Sequence, residues 1–139
     1  MARILLIEDD DPLRSVVREI LAARGHAVTE AANGREALTL QAAGAFDLLI
    51  LDIVMPEQDG LEVLQALRAR GAGVKTIVTT GGGRIGATAL YLTMAARLGA
   101  HRMLQKPFSS QVLLQAVDEL CPATGPDRSP AARDRDRTD

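Results

Sequence analysis

Acidic side chains directly follow two apolar runs in this chain. Glu8 and Asp9 come after Ile4-Leu5-Leu6-Ile7, and Asp52 comes after Leu48-Leu49-Ile50-Leu51. Thr80 ends a β-branched stretch that begins at Thr76, and Lys106 stands between Gln105 and Pro107 at the close of another short run. Short apolar or β-branched runs bounded by turn formers read as strands, so all five side chains sit at strand carboxyl ends. Two unit charges about 4 Å apart at an effective dielectric of about 20 repel by roughly 4 kcal/mol. Three acids at one sheet edge therefore call for a cation or a raised pKa. Magnesium suits such an open site, because it takes one or two carboxylates together with waters and phosphate oxygens. Lys106 can neutralise an anion as a point charge, and the Thr80 hydroxyl can donate one hydrogen bond to it. Taken singly, each residue is ordinary loop chemistry; taken jointly, they describe a place where an anion meets a hard cation.

The elements that must bring these residues together alternate regularly. Arg3 to Glu8 reads as a buried strand, and Asp11-Pro12 supplies a helix N-cap with proline at the first helical position. Leu13, Val16, Val17, Ile20 and Leu21 then recur at helical spacing until Arg24-Gly25. Strands are expected at Ala27 to Ala31, Asp47 to Leu51, Thr76 to Thr80 and Arg102 to Gln105. Helices are expected at Arg35 to Ala43, Leu61 to Arg70, within Ile85 to Leu98, and at Ser110 to Leu120. Parallel strands need crossover connections, so this alternation predicts an α/β fold with a parallel sheet covered on both faces. The spatial order 2-1-3-4-5 fits five such units and places ligands beyond the strand carboxyl ends. Met55-Pro56 and Asp59-Gly60 read as turn chemistry after the third strand, with glycine freeing the backbone and proline restricting it.

The chain has 139 residues, the size of one domain, with 47% hydrophobic and only 2% aromatic residues, so its core must be aliphatic. One cysteine, Cys121, excludes an intramolecular disulfide and reads as an inert helix-end residue. Four apolar residues near the start are too few for a signal peptide or membrane span, which points to the cytoplasm and to no membrane partner. Net charge is −2 with no basic cluster in the folded part, so direct nucleic-acid binding is not expected. From residue 122 to residue 139 the composition turns to Pro, Gly, Ser, Arg and Asp, and this stretch reads as a disordered tail after a domain spanning residues 1–121. His26 and His101 lie away from the acidic edge and read as structural or solvated. Tyr91, Met94 and Leu98 share helical spacing and read as core.

Four stretches together are specific: Ile-Leu-Leu-Ile-Glu-Asp-Asp-Asp-Pro-Leu-Arg at 4–14, Asp-Leu-Leu-Ile-Leu-Asp-Ile-Val-Met-Pro-Glu-Gln-Asp-Gly at 47–60, Thr80 with the glycines after it, and Lys-Pro-Phe at 106–108. In these the chain resembles the receiver domain of response regulators, from Arg3 to about Leu120. The resemblance implies a flavodoxin-like, doubly wound (βα)5 fold and a single-domain response regulator of two-component signalling. It implies that Asp52 accepts a phosphoryl group from a histidine kinase or histidine phosphotransfer protein, and that Mg2+ is held by Asp9, Asp52 and the main-chain oxygen of Val54, with Glu8 acting through water. It further implies that Lys106 contacts the phosphoryl group and Thr80 closes on it, the signal passing on to a downstream protein target.

Met103 stands where most family members carry an aromatic residue, which weakens the expectation of a discrete aromatic switch coupled to Thr80. Gly81 and Gly82 are expected to leave the phosphoryl group open to a partner or to water. A turnover phosphatase is disfavoured, since the position two after Asp52 is Val54 and not an acid; the expected chemistry is self-phosphorylation and slow autodephosphorylation, without turnover of other substrates. The competing reading is a phosphorylation-independent interaction module on the same fold.

Overall fold

Strand β1 (Arg3–Ile7) is buried from its second residue onward, and β3 (Leu48–Asp52) is buried throughout, the pattern of strands covered on both faces. A computed structural model of the chain describes residues 1–55, 58–70, 74–81 and 93–122. The other elements are α1 (Asp11–Ala23), β2 (Ala27–Ala31), α2 (Gly34–Ala43), β4 (Val54–Met55), β5 (Gln58–Asp59), α3 (Gly60–Arg70), β6 (Lys75–Thr80), the helical residues 93–97 (α4), β7 (Arg102–Gln105) and α5 (Ser110–Leu120). Five strands form one parallel sheet in the order β2-β1-β3-β6-β7. This is the 2-1-3-4-5 order expected from the alternation, with β6 and β7 as its fourth and fifth strands.

Alternate residues of the sheet build two cores. Leu5, Ile7, Leu49, Leu51 and Val78 pack with Ala37 of α2, Leu64 and Leu67 of α3, and Ala95 of α4. Ile4, Leu6, Leu48, Ile50 and Ile77 pack with Val17 and Leu21 of α1 and with Leu113, Ala116 and Val117 of α5. Because side chains alternate across a strand, the continuous run Ile4–Ile7 feeds both cores at once.

Several sequence expectations shift. The α1 N-cap is Asp10, whose carboxylate accepts the Leu13 N–H at 3.1 Å; Asp11 is instead the first helical residue and pairs with Arg14 at 2.7 Å. Helix α2 begins at Gly34, with Asn33 as its cap. Strand β3 is displaced by one residue toward Asp52, since Asp47 uses its side chain to accept the Arg3 N–H at 2.9 Å. β4 and β5 pair antiparallel where only turn chemistry was expected, two-residue strands being too short to show a period. Met94 is 41% exposed and does not join the core, whereas neighbouring Ala95 is fully buried and Leu98 packs partly against it. Tyr91, Pro56, Gly82, Gly83, most of the stretch anticipated as the fourth helix, and residues 123–139 of the anticipated tail lie outside the described residues.

Both histidines prove structural. Each precedes a strand, and its Nδ1 accepts a backbone N–H at the start of the neighbouring strand: Ala2, just before β1, to His26 at 3.0 Å and Thr76 of β6 to His101 at 3.1 Å. An accepting nitrogen carries no proton, so both rings are neutral here. Burial foremost lowers both pKa values from the ordinary 6.5. The N-terminal ammonium and Arg24 reinforce this at His26 against the opposing charge of Asp118, and Arg68, Lys75 and Arg102 reinforce it at His101. The unfolded chain therefore takes up these protons first, and the stabilisation, complete above 6.5, is lost as pH falls below that value until the folded-state pKa values are passed. In metal-free buffer, the stability advantage of the native chain over a His26→Asn, His101→Asn variant, whose amide oxygens accept without titrating, should shrink between pH 7 and about pH 5. Denaturant titrations across that range showing a constant difference would contradict this.

Candidate functional site

The crevice between β1 and β3 lies where the sheet order reverses, since the chain runs from β1 outward to β2 and returns past β1 to β3. Glu8 follows β1 and Asp52 ends β3, and the parallel register Ile7↔Leu51 brings the two strand ends level. Glu8 and Asp52 are each only 4% exposed, an uncommon burial for carboxylates. One carboxylate oxygen from each of Glu8, Asp9 and Asp52 lies within 4.8 Å of the others.

From the far end of the sheet, Lys106 reaches back across Gly81. Its Nζ donates to Glu8 Oε1 at 2.7 Å and to Asp52 Oδ2 at 3.1 Å, and its backbone N–H donates to the Thr80 carbonyl at 2.7 Å. Gly81 makes this path possible. A Cβ there would stand 2.6 Å from Lys106 Cβ and 2.8 Å from Cδ, so the room left by the missing side chain is filled by the lysine's methylenes. The openness anticipated at Gly81 is thus taken up by the cation's own stem.

Thr80 ends β6 fully buried, and its hydroxyl has no hydrogen-bond partner among the described residues. A buried, unpaired hydroxyl is a donor held in reserve. Val54 follows the site in β4, opposite Asp59. Met103 lies on β7, paired with Val78 and 39% exposed.

Electrostatics agree with the geometry. Burial pushes the Glu8 carboxyl up to about 7; the hydrogen bond from Lys106 opposes this, and the charge of Asp52 adds to it. Burial works against the Lys106 ammonium too, but the hydrogen bond to Glu8 and the charges of Asp52 and Glu8 outweigh it, and its pKa rises. Lys106 is therefore a fixed cation that compensates only part of the negative charge. Three hard oxygen donors gathered within 4.8 Å are the donor set a divalent cation such as Mg2+ prefers.

Sequence reasoning missed one participant. Arg14, 16% exposed, donates from Nη1 to the main-chain oxygen of Glu8 at 2.8 Å. The signal available was its place at the close of the stretch 4–14.

Comparisons with known proteins converge. Residues 4–118 match the family model described as the response regulator receiver domain. The chain is 37% identical over 125 residues to the response regulator MprA of Mycolicibacterium vanbaalenii, covering 90% of this chain and 52% of that protein. It thus spans about half the length of the curated relatives it matches. Among solved structures, a CheY-like receiver domain protein from Methanospirillum hungatei superposes with a TM-score of 0.77 at 28% identity, over 86% of this chain and 92% of that one. The chemotaxis protein CheY4 of Vibrio cholerae gives 0.76 at 29% identity, over 86% and 98%.

Proposed function

The chain belongs to the response regulator receiver domain family of two-component signalling, and from that premise we propose that Asp52 takes a phosphoryl group from a partner's phosphohistidine in a reaction supported by Mg2+. The observation that carries this reading is the convergence of Lys106 Nζ on both Glu8 and Asp52, at 2.7 and 3.1 Å, beside a third carboxylate from Asp9. Glu8, Asp9, Asp52 and the main-chain oxygen of Val54 would hold the ion, which when bound neutralises phosphoryl oxygens and orients the donor.

An Asp52 carboxylate oxygen attacks phosphorus in line; the new O–P bond replaces the P–N bond, whose electron pair stays on the donor's imidazole, protonated from solvent water. Phosphoryl transfer asks little covalent help of a protein beyond alignment and charge neutralisation. Lys106 supplies a cation already aimed at Asp52, and Thr80 supplies a hydroxyl, unpaired among the described residues, for a phosphoryl oxygen. Pulling Thr80 toward that oxygen would shift the end of β6 and pass the signal to a protein partner. With Val54 two residues after Asp52 there is no added acid to protonate an ester leaving group, so the chain acts as a stoichiometric acceptor that slowly loses its own phosphoryl group. Among the described residues no helix is long and apolar enough to cross a membrane.

Incubating the chain with a small phosphodonor and Mg2+ should add one phosphoryl group by intact mass, and a chelator should abolish the gain. A gain that survives chelation would remove the metal from the scheme. No gain in either condition would favour a phosphorylation-independent interaction module.

A further inference from the structure

We infer that Arg14 is a positioning residue for the carboxylate site, an inference that rests on the function proposed above. Glu8, Asp9 and Asp10 form the whole connection between β1 and α1. Both peptide groups of Glu8 are tied down. Its N–H donates to the Ala31 carbonyl at 3.0 Å, continuing the β1–β2 ladder, and its carbonyl accepts from Arg14 Nη1 at 2.8 Å. Fixing that carbonyl fixes the plane of the peptide leading into Asp9. The Asp9 carboxylate makes no hydrogen bond among the described residues, so its place beside Glu8 and Asp52 depends on the backbone beneath it.

Arg14 is itself immobilised. Nε lies 3.1 Å from Glu30 Oε1 at the end of β2, Nη2 lies 2.7 Å from Asp11 Oδ1, and its backbone N–H donates to the Asp10 carbonyl at 2.8 Å. Each of the three guanidinium nitrogens thus has its own partner on a different element or turn. A planar fork can do this; a lysine ammonium on a flexible stem cannot reproduce it.

The sign of the effect separates positioning from charge. Arg14→Gln removes a cation near the acids, frees Asp11 and leaves Glu30 with Arg18 alone at 3.2 Å, so electrostatics alone would tighten binding of a divalent cation. Loss of positioning would weaken it. Titration of the full chain with Mg2+, at temperatures well below unfolding, should show affinity falling about tenfold in Arg14→Gln and by a similar factor in Arg14→Lys, which keeps the charge. Equal or tighter binding in Arg14→Gln, or native affinity in Arg14→Lys, overturns the inference. Amide hydrogen exchange at Asp9 and Asp10 without metal gives a second reading and should be faster in both variants; unchanged exchange also overturns it. If the native chain takes up no Mg2+, the proposed function fails, while the exchange measurement still decides the role of Arg14.

Discussion

Replacing Asp52 with asparagine is expected to abolish phosphoryl uptake from a small donor in the presence of Mg2+, while leaving the metal-free chain at least as stable as the native one. Two consequences of one substitution point in opposite directions, and that makes the experiment decisive. The amide is a poor nucleophile and replaces one of the three anionic oxygen donors with a neutral one, so acceptance of phosphorus and magnesium affinity both fall. The same change relieves a repulsion. Asp52 is one of the groups holding the Glu8 carboxyl up at about 7, after burial, and its loss lets Glu8 ionise more readily against Lys106. Breaking a buried ion pair by removing one partner is normally destabilising. Here Lys106 retains Glu8 at 2.7 Å, so no uncompensated cation is left behind. Intact mass and thermal unfolding measured on the same preparation check both halves. Phosphoryl uptake by Asp52→Asn would show that another residue is the acceptor, and a large loss of stability would show that the carboxylate serves the fold.

Gly60→Ala is expected to cost about 3 kcal/mol, against the ordinary direction of such a change. Glycine is the poorer helix former, and alanine at a compatible helical position generally stabilises by up to about 1 kcal/mol. Gly60 opens α3 without a left-handed backbone, so it was not selected for conformational freedom, the reason its sequence context suggested. The cause is proximity. A Cβ there would lie closer than 3.0 Å to the carbonyl oxygen, Cα and carbonyl carbon of Ile53. Backbone cannot swing aside as a side-chain tip can. Ile53 is 1% exposed and its N–H donates to the Thr79 carbonyl at 3.1 Å, so relief must come from moving α3 away or from dragging the residue adjoining Asp52. Denaturant titration should therefore show reduced stability and magnesium titration a weakened site. A stabilised variant would mean that α3 slides freely past Ile53.

Legibility in the sequence followed the strength of local patterns. The apolar runs 4–7 and 48–51 announced central strands because a strand buried on both faces needs no polar alternation. With those strands placed, Glu8, Asp9, Asp52, Thr80 and Lys106 had to fall at the same sheet edge, and the geometry gathers the three acids and Lys106 there. The Asp10 cap was misread by one position because three successive aspartates offer the same side chain to the helix start, and only the reach to Leu13 chooses among them. Arg14 was given no role of its own beyond its place in the stretch 4–14, since nothing local reveals that its fork bends back onto the Glu8 carbonyl. Gly60 and Gly81 were legible as glycines but not as close approaches, which depend on chain segments distant in space or sequence.

The ion pair between Lys106 and Glu8 joins residues 98 positions apart, and the one between Arg24 and Asp118 joins residues 94 apart. Contacts of such separation form only after most of the intervening chain has been ordered. During synthesis the acids of β1 and β3 emerge long before the lysine that partly balances them. A nascent chain ending before β7 exposes an uncompensated anionic pocket and the open edge of β6. On the proposed function, competence to receive phosphorus would be withheld until β7 has docked, which would tie the start of signalling to completion of the sheet.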